Sequence, residues 1–349
     1  MWDPVNLRMA IGAFLAIIMT TAASPTYVKS LSGAEAMYEI PNAPRGILFL
    51  AHGCQHSATD FWAPTAECPQ CLGLPEEVRI VKAALREGFA VIAISSQDRE
   101  VSRCWSFESD GPIVKRALDA FRERHHLPSL PLAALGASSG GAFVLQLAGI
   151  MRLVAVISQI MAIPPAMLSE PMPPTLFIHM SRDQRTAAFV HKDVKRIKNM
   201  SSGQAEQIEV APQKPSAAFF TDRIERLDSA AASALHAALR RHGLLNADGF
   251  LAEDPRRSAW REAIRASDGL GVRLPGPGPN SPADTLVGDE SAVSEVLNVA
   301  WAMHEIVSDE MDETLQFIAR ATLRQRAELL AAASMVEGSG PSPSAELRK

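Results

Sequence analysis

Ser138 stands in the pentapeptide Gly136-Ala137-Ser138-Ser139-Gly140, between an apolar run and a helix-forming run. Glycines two places to either side are what a serine needs on a tight strand-to-helix turn, where a Cβ at either place would collide with the backbone. Such a turn exposes the hydroxyl above the sheet and aims the next amide, that of Ser139, at an oxygen gaining negative charge. The chemistry this suits is nucleophilic attack on a carbonyl. Only the Ser138 frame has glycine at both flanks; Ser139 fails the same test. The competing reading is a Gly-rich turn that packs a helix tightly on a strand.

A second element supports the first. His52-Gly53-Cys54 directly follows the apolar run GILFLA. The loop at that place supplies the other oxyanion donor: Gly53 lets the backbone approach the substrate, and the Cys54 amide donates. His52 then shapes the loop and is not a base. Loss of one such donor costs about 100- to 1,000-fold in rate.

A nucleophilic serine needs a base and an acid that orients it, in the chain order serine, acid, histidine. Asp183 follows PPTLFIHM with two residues between, where that order requires a carboxylate. It also reads as a helix N-cap. The histidines beyond it are His191, His236, His242 and His304. His191 lies too early, inside the next helix, and His236 and His242 belong to a helical block; His242, beside Arg240 and Arg241, suits a helix C-terminus. His304 precedes the acidic start of a closing helix and is the expected base, against the reading of a histidine on a helix face. Glu305 beside it is expected to face solvent. Phe61, Trp62 and Trp105 read either as pocket walls or as core aromatics, which are the commoner case.

Four cysteines, Cys54, Cys68, Cys71 and Cys104, occupy one third of the chain. An even count favours two disulfides, with the pairing left open among three possibilities. The rival is a zinc site from Cys54, His56, Cys68 and Cys71, but no second close pair of ligands follows. Residues 1–23 contain the short apolar run MAIGAFLAIIMTTAA, which ends in small residues. That segment reads as a secretory signal peptide or, failing cleavage, a short anchor. Signal peptide and disulfides together point to the secretory pathway or the extracellular space.

These residues need a scaffold, and the pattern between 36 and 215 provides one. Apolar runs at 46–53, 89–95, 131–138, 152–158, 173–180 and 207–212 alternate with amphipathic stretches at 74–88, 111–127, after Gly140 and up to Met200. Continuous apolar strands alternating with helices predict an α/β class, a doubly wound and mostly parallel sheet covered on both faces. Residues 216–288 read as a helical, winged-helix-like insertion followed by a Pro/Gly-rich linker. Helices at 291–307 and 309–332 close the core within 289–332, and 333–349 form a tail without order.

Composition excludes some functions. The 349 residues are 47 % hydrophobic and 21 % charged, with 34 basic against 39 acidic side chains and a net charge of −5. This balance lacks the basic stripe of a nucleic-acid binder, and no run reaches the roughly 20 apolar residues of a membrane span. No cofactor or metal is expected.

The motifs HGCQHSATDFW, CPQCLGLPEE, SRCWSFE, LGASSGG and PPTLFIHMSRD, with FFTDRI, the NADGFL to SAWREAI block and LNVAWAMHEIVSDEMDETLQFI, cover most of residues 46–320. Together they resemble a largely uncharacterised branch of the α/β-hydrolase superfamily associated with plants and algae. The resemblance implies an α/β-hydrolase fold, cysteines near the oxyanion loop, and Ser138, Asp183 and His304 as the triad. The Pro/Gly stretch around 274–283 is expanded relative to that pattern, and the resemblance names no substrate. The expected function is acyl transfer by a serine hydrolase on a small-molecule carboxylic ester. The alternative is a non-catalytic binding or receptor protein that keeps the fold.

Overall fold

The computed structural model describes residues 24–201, 203–275 and 290–338; the expected signal peptide, most of the Pro/Gly stretch and residues 339–349 lie outside them. The expected strands become β3 (Gly46–Ala51), β4 (Phe89–Ile94), β5 (Leu132–Ala137), β6 (Ala155–Gln159), β7 (Thr175–Met180) and β8 (Ala205–Val210). Two strands precede them, β1 (Thr26–Leu31) and β2 (Ala34–Glu39), joined by a tight turn in which Ser32 and Gly33 both have positive φ. The eight strands form one sheet in the order β1-β2-β4-β3-β5-β6-β7-β8. The β1–β2 and β2–β4 pairings are antiparallel and the rest parallel.

Burial on both faces explains the unbroken apolar strands. In β3, Ile47, Phe49 and Ala51 enter one core, and Leu48 and Leu50 the other, as the period of two requires. Helices α1 (Pro75–Arg86) and α10 (Met311–Gly338) cover the face of Leu48. Helices α2 (Phe107–Arg124), α3 (Ser139–Leu147) and α4 (Gln184–Lys198) cover the face of Phe49. A third core, around Trp260, Phe220, Leu235 and Leu297, belongs to the helical block. That block comprises α5 (Ala217–Arg223), α6 (Ser229–Arg241), α7 (Trp260–Arg265), α8 (Leu270–Arg273) and α9 (Ala292–Trp301). Its turn at 246–249 is closed by a single bridge, Leu245 to Leu251.

Helix α2 begins four residues earlier than expected, at Phe107, and helices α9 and α10 end elsewhere than expected. Helix α9 stops at Trp301 instead of 307, because Ala302 adopts the left-handed conformation (φ 57°, ψ 56°). A glycine normally announces such a stop; here none does. Helix α10 continues through 333–338, where a tail without order was expected. Among the described residues no helix is long and apolar enough to cross a membrane.

The chain runs from β3 outward to β4 and then returns to place β5 on the other side of β3. The carboxyl ends of β3 and β5 therefore lie side by side at the point where strand order reverses, with Ala51 opposite Gly136. Ligands of open α/β sheets bind outside the strands' carboxyl ends at such a point.

Candidate active site

Ser138 occupies that point, between the end of β5 and the start of α3, with φ 53° and ψ −119°. For a residue with a Cβ this is a strained conformation, of the kind that persists only where its surroundings enforce it. Here the Ser138 amide donates to Gln159 O (3.0 Å), and its carbonyl accepts from Ala142 N–H (3.1 Å). The two flanking glycines are required by contact. A Cβ on Gly136 would lie 2.1 Å from Gly140 O, and one on Gly140 would lie 2.3 Å from Ala51 O. Neither neighbour can yield, since both atoms are backbone.

The fold is that of an α/β-hydrolase. Its marks are the sheet order and the strained serine turn at the reversal point.

Asp183 and His304 come to Ser138 from far along the chain. Ser138 Oγ lies 3.0 Å from His304 Nε2, and His304 Nδ1 lies 2.8 Å from Asp183 Oδ2. Asp183, just past β7, caps α4 as well: its Oδ1 accepts from Thr186 N–H at 3.1 Å. Two different oxygens of Asp183 thus make the two contacts. Burial works against its charge, but the hydrogen bonds from Thr186 and His304 outweigh it and hold its pKa below the usual carboxylate range.

The segment carrying His304 has no regular structure, and His304 itself has φ 48°. Neighbours pin its backbone. Arg182 N–H donates to Ala302 O (3.2 Å), while the Arg182 guanidinium stacks 3.5 Å above the Trp301 ring. Arg256 donates to Met303 O and His304 O at 2.8 and 2.9 Å. The Gln159 amide side chain bonds both the N–H and the C=O of Val307, each at 2.9 Å.

The other histidines are elsewhere. His236 Nδ1 lies 2.9 Å from Pro215 O, His191 faces His179, and His242 is the exposed C-cap of α6. Glu305 corrects an expectation: it does not face solvent. Its side chain accepts from Asn298 Nδ2 at 2.8 Å and pairs with Arg256 at 3.5 Å. The buried end of α9 draws it inward, and burial raises its pKa.

The loop His52-Gly53-Cys54 is braced from behind. His52 is fully buried; its Nδ1 bonds Gly53 O at 2.6 Å and its Nε2 accepts from Ser96 N–H at 3.0 Å. The second bond requires an unprotonated Nε2, so the ring is the neutral Nδ1–H tautomer. Burial agrees, pushing its pKa down to about 3. The indole N–H of Trp105 donates to His52 O at 2.9 Å, and its ring stacks on Phe143. Trp105, Phe61 and Trp62 are therefore packing aromatics, with Phe61 fully buried and Trp62 bonded to Glu39.

The cysteines form two disulfides, Cys54–Cys104 and Cys68–Cys71, which leaves no thiolate for the zinc alternative. The first ties the loop to segment 98–104, whose shape comes from Asp98. That carboxylate accepts from the N–H groups of Glu100, Val101, Ser102 and Arg103. Gln55 N–H donates to Ser102 O, and Arg103 donates to Gln55 O. Cys54 and Ser139 N–H have no protein acceptor among the described residues.

A cavity of about 310 Å³ opens beside Ser138, lined by Gly53, Cys54 and His304 among others. Several lining residues escaped the sequence reading: Glu77, Arg256, Glu295 and Asn298. His56, which the sequence offers only as a metal ligand, also lines it. Its Nδ1 lies 3.0 Å from Asp60 Oδ2. Burial disfavours the charged ring, but Asp60 outweighs burial and raises its pKa to about 9.

No protein-family profile and no curated relative matches the chain. Among solved structures, a dienelactone hydrolase from Anabaena variabilis is similar with a TM-score of 0.42 and 17 % identity, over 55 % of this chain and 88 % of that chain. An α/β hydrolase from a Medee basin deep-sea metagenome library gives 0.37 and 13 %, over 57 % and 85 %. A putative esterase from Staphylococcus aureus gives 0.38 and 11 %, over 54 % and 74 %. At such identities and scores the chemistry has to be read from the site itself.

Proposed function

We propose that this chain is a serine hydrolase that cleaves a small carboxylic ester by acyl transfer. The observation that carries the reading is the hydrogen-bonded line from Ser138 through His304 to Asp183 at the edge of the cavity. In the proposed cycle His304 Nε2 takes the Ser138 proton as Oγ attacks the ester carbonyl, and Asp183 stabilises the imidazolium that results. The amides of Cys54 and Ser139 receive the charge on the carbonyl oxygen. His304 then protonates the departing alcohol, and a water molecule deprotonated by the same ring releases the acid. The cavity's size suits a small molecule. Two disulfides fit an oxidising compartment, in keeping with a leader in residues 1–23.

The test is covalent labelling with a fluorophosphonate followed by mass-spectrometric mapping. The expected adduct is on Ser138 alone, absent in Ser138→Ala and slowed strongly in His304→Ala. An adduct on Ser139 or another serine, or none on the folded protein, refutes the assignment and favours a binding protein that keeps the fold.

A further inference from the structure

Part of the cavity lining has no role in the reaction proposed above: Glu77 from α1, and Glu295 and Asn298 one turn apart on α9. These residues are only 3 %, 5 % and 8 % exposed. The Glu77 and Glu295 carboxyls hydrogen-bond to each other, yet Asn298 Oδ1 has no hydrogen-bond partner among the described residues. Buried polar atoms are rarely left in that state, because the loss of water is then uncompensated.

The neighbouring atoms are engaged, which fixes which atom stays free. Asn298 Nδ2 donates to Glu305 Oε2, so the amide oxygen is the open end. Glu295 Oε1 accepts from Glu76 N–H at 3.3 Å. A ligand that completes the wall must therefore bring a donor to Asn298 Oδ1.

Charge narrows its chemistry. Burial pushes the Glu77 pKa up to about 7. Burial, with the neighbouring Glu77 charge, raises that of Glu295 well above the usual range. Near neutrality the two carboxyls thus share a proton with each other, and their remaining lone pairs can still accept. His56 and Arg256 line the same cavity, so a cationic ligand would meet two positive groups. An alkyl chain would leave Asn298 Oδ1 unpaired. An uncharged group that both donates and accepts is a hydroxyl.

We propose that Glu77, Glu295 and Asn298 form a hydroxyl-binding site, and that the substrate carries at least one hydroxyl near its ester bond. This rests on the ester-hydrolase reading of Ser138. A site built to bond a substrate hydroxyl rejects the analogue that lacks it far more strongly than an apolar pocket rejects a missing methylene.

The experiment compares kcat/KM for two matched pairs on the full chain. Glycerol monobutyrate against propyl butyrate places hydroxyls on the alcohol side. Ethyl β-hydroxybutyrate against ethyl butyrate places one on the acyl side. Fluorophosphonate labelling of Ser138 is measured on the same sample. The expected result is labelling, with the hydroxylated ester favoured at least about tenfold in one pair. In Asn298→Leu or Glu77→Gln, that ratio should shrink at least about threefold. Ratios below tenfold in both pairs with Ser138 labelled overturn the hydroxyl site but not the serine hydrolase. A preference that survives unchanged in both variants places the hydroxyl elsewhere and overturns the assignment too. Absence of labelling refutes the underlying reading, and labelling without turnover of any of the four esters refutes both the ester reading and the hydroxyl site. The wild-type ratios stand whether or not a variant folds.

Discussion

Replacing Asp183 by asparagine should separate its two tasks. Its Oδ1 caps α4 through Thr186 N–H, and its Oδ2 accepts from His304 Nδ1 at 2.8 Å. An asparagine that keeps its oxygen on Thr186 must present its NH2 group to His304. Nδ1 then becomes an acceptor, the ring proton moves to Nε2, and that proton points at Ser138 Oγ, 3.0 Å away. The base would hold its proton on the side where it must take one. A wrong tautomer of this kind lowers turnover by about 10,000-fold, or roughly 5.4 kcal/mol of transition-state stabilisation. Stability should change little, because asparagine caps helices as well as aspartate does, and the lost charge at the α4 N-terminus is worth no more than about 1 kcal/mol. Asp183→Ala removes both bonds and should add about 1 kcal/mol of destabilisation to the same loss of turnover. The assay pairs urea unfolding with steady-state hydrolysis of an activated aryl ester. If Asp183→Asn keeps turnover within tenfold of wild type while Asp183→Ala is merely less stable, the residue is a helix cap only and the orienting role is wrong.

The disulfides should behave differently from each other. Opening Cys54–Cys104 by a double serine variant releases a loop of about 50 residues, costs roughly 4 kcal/mol, and should lower turnover by up to about 100-fold through the Cys54 amide. Opening Cys68–Cys71 should cost roughly 2 kcal/mol and leave turnover near wild type; equal turnover losses would deny the loop its part. His52 is held neutral in the fold by burial, with its pKa near 3, while in the unfolded chain it takes a proton below about pH 6.5. The unfolded state then binds the extra proton, so stability falls as pH drops through that window. Between pH 6.5 and 5 wild type should lose about 2 kcal/mol more than His52→Asn in urea unfolding; parallel losses would contradict the neutral ring. Gly140→Ala pushes a methyl to 2.3 Å from Ala51 O and should cost about 3 kcal/mol or more, so a wild-type melting curve would refute the packing at the turn.

The central strands were legible in the sequence because burial on both faces leaves long apolar runs, as in FAVIAI. Strands β1 and β2 were not, since β1 is largely exposed and the hairpin carries Lys, Ser and Glu among its residues. Ser138 was legible because steric contact with backbone dictates its flanking glycines, and a steric demand leaves a short, local trace. His304 left no such trace. Its placement depends on Ala302 ending α9 in a left-handed turn without glycine and on contacts from Arg182, Gln159 and Arg256. The polar cavity wall was hidden for another reason. Glu76 and Glu77 look like ordinary first-turn acids favoured by the helix dipole, and only the packing of α9 against α1 buries Glu77 beside Glu295. Side chains brought together over more than 200 residues of chain leave no spacing to read.

Arg256 has a further consequence for how this protein can be rebuilt. It lies in the helical block, yet its guanidinium grips the main-chain oxygens of Met303 and His304 and not their side chains. The grip is therefore indifferent to which residues occupy those positions and sensitive only to where the backbone runs. A chimera that grafts a foreign block onto this sheet would keep every member of the hydrogen-bonded line and still lose its alignment. A transplant that carries Arg256 together with segment 302–307 would move His304 and its anchorage as one part. Modular exchange in this molecule should be cut on either side of that pair and never between its members.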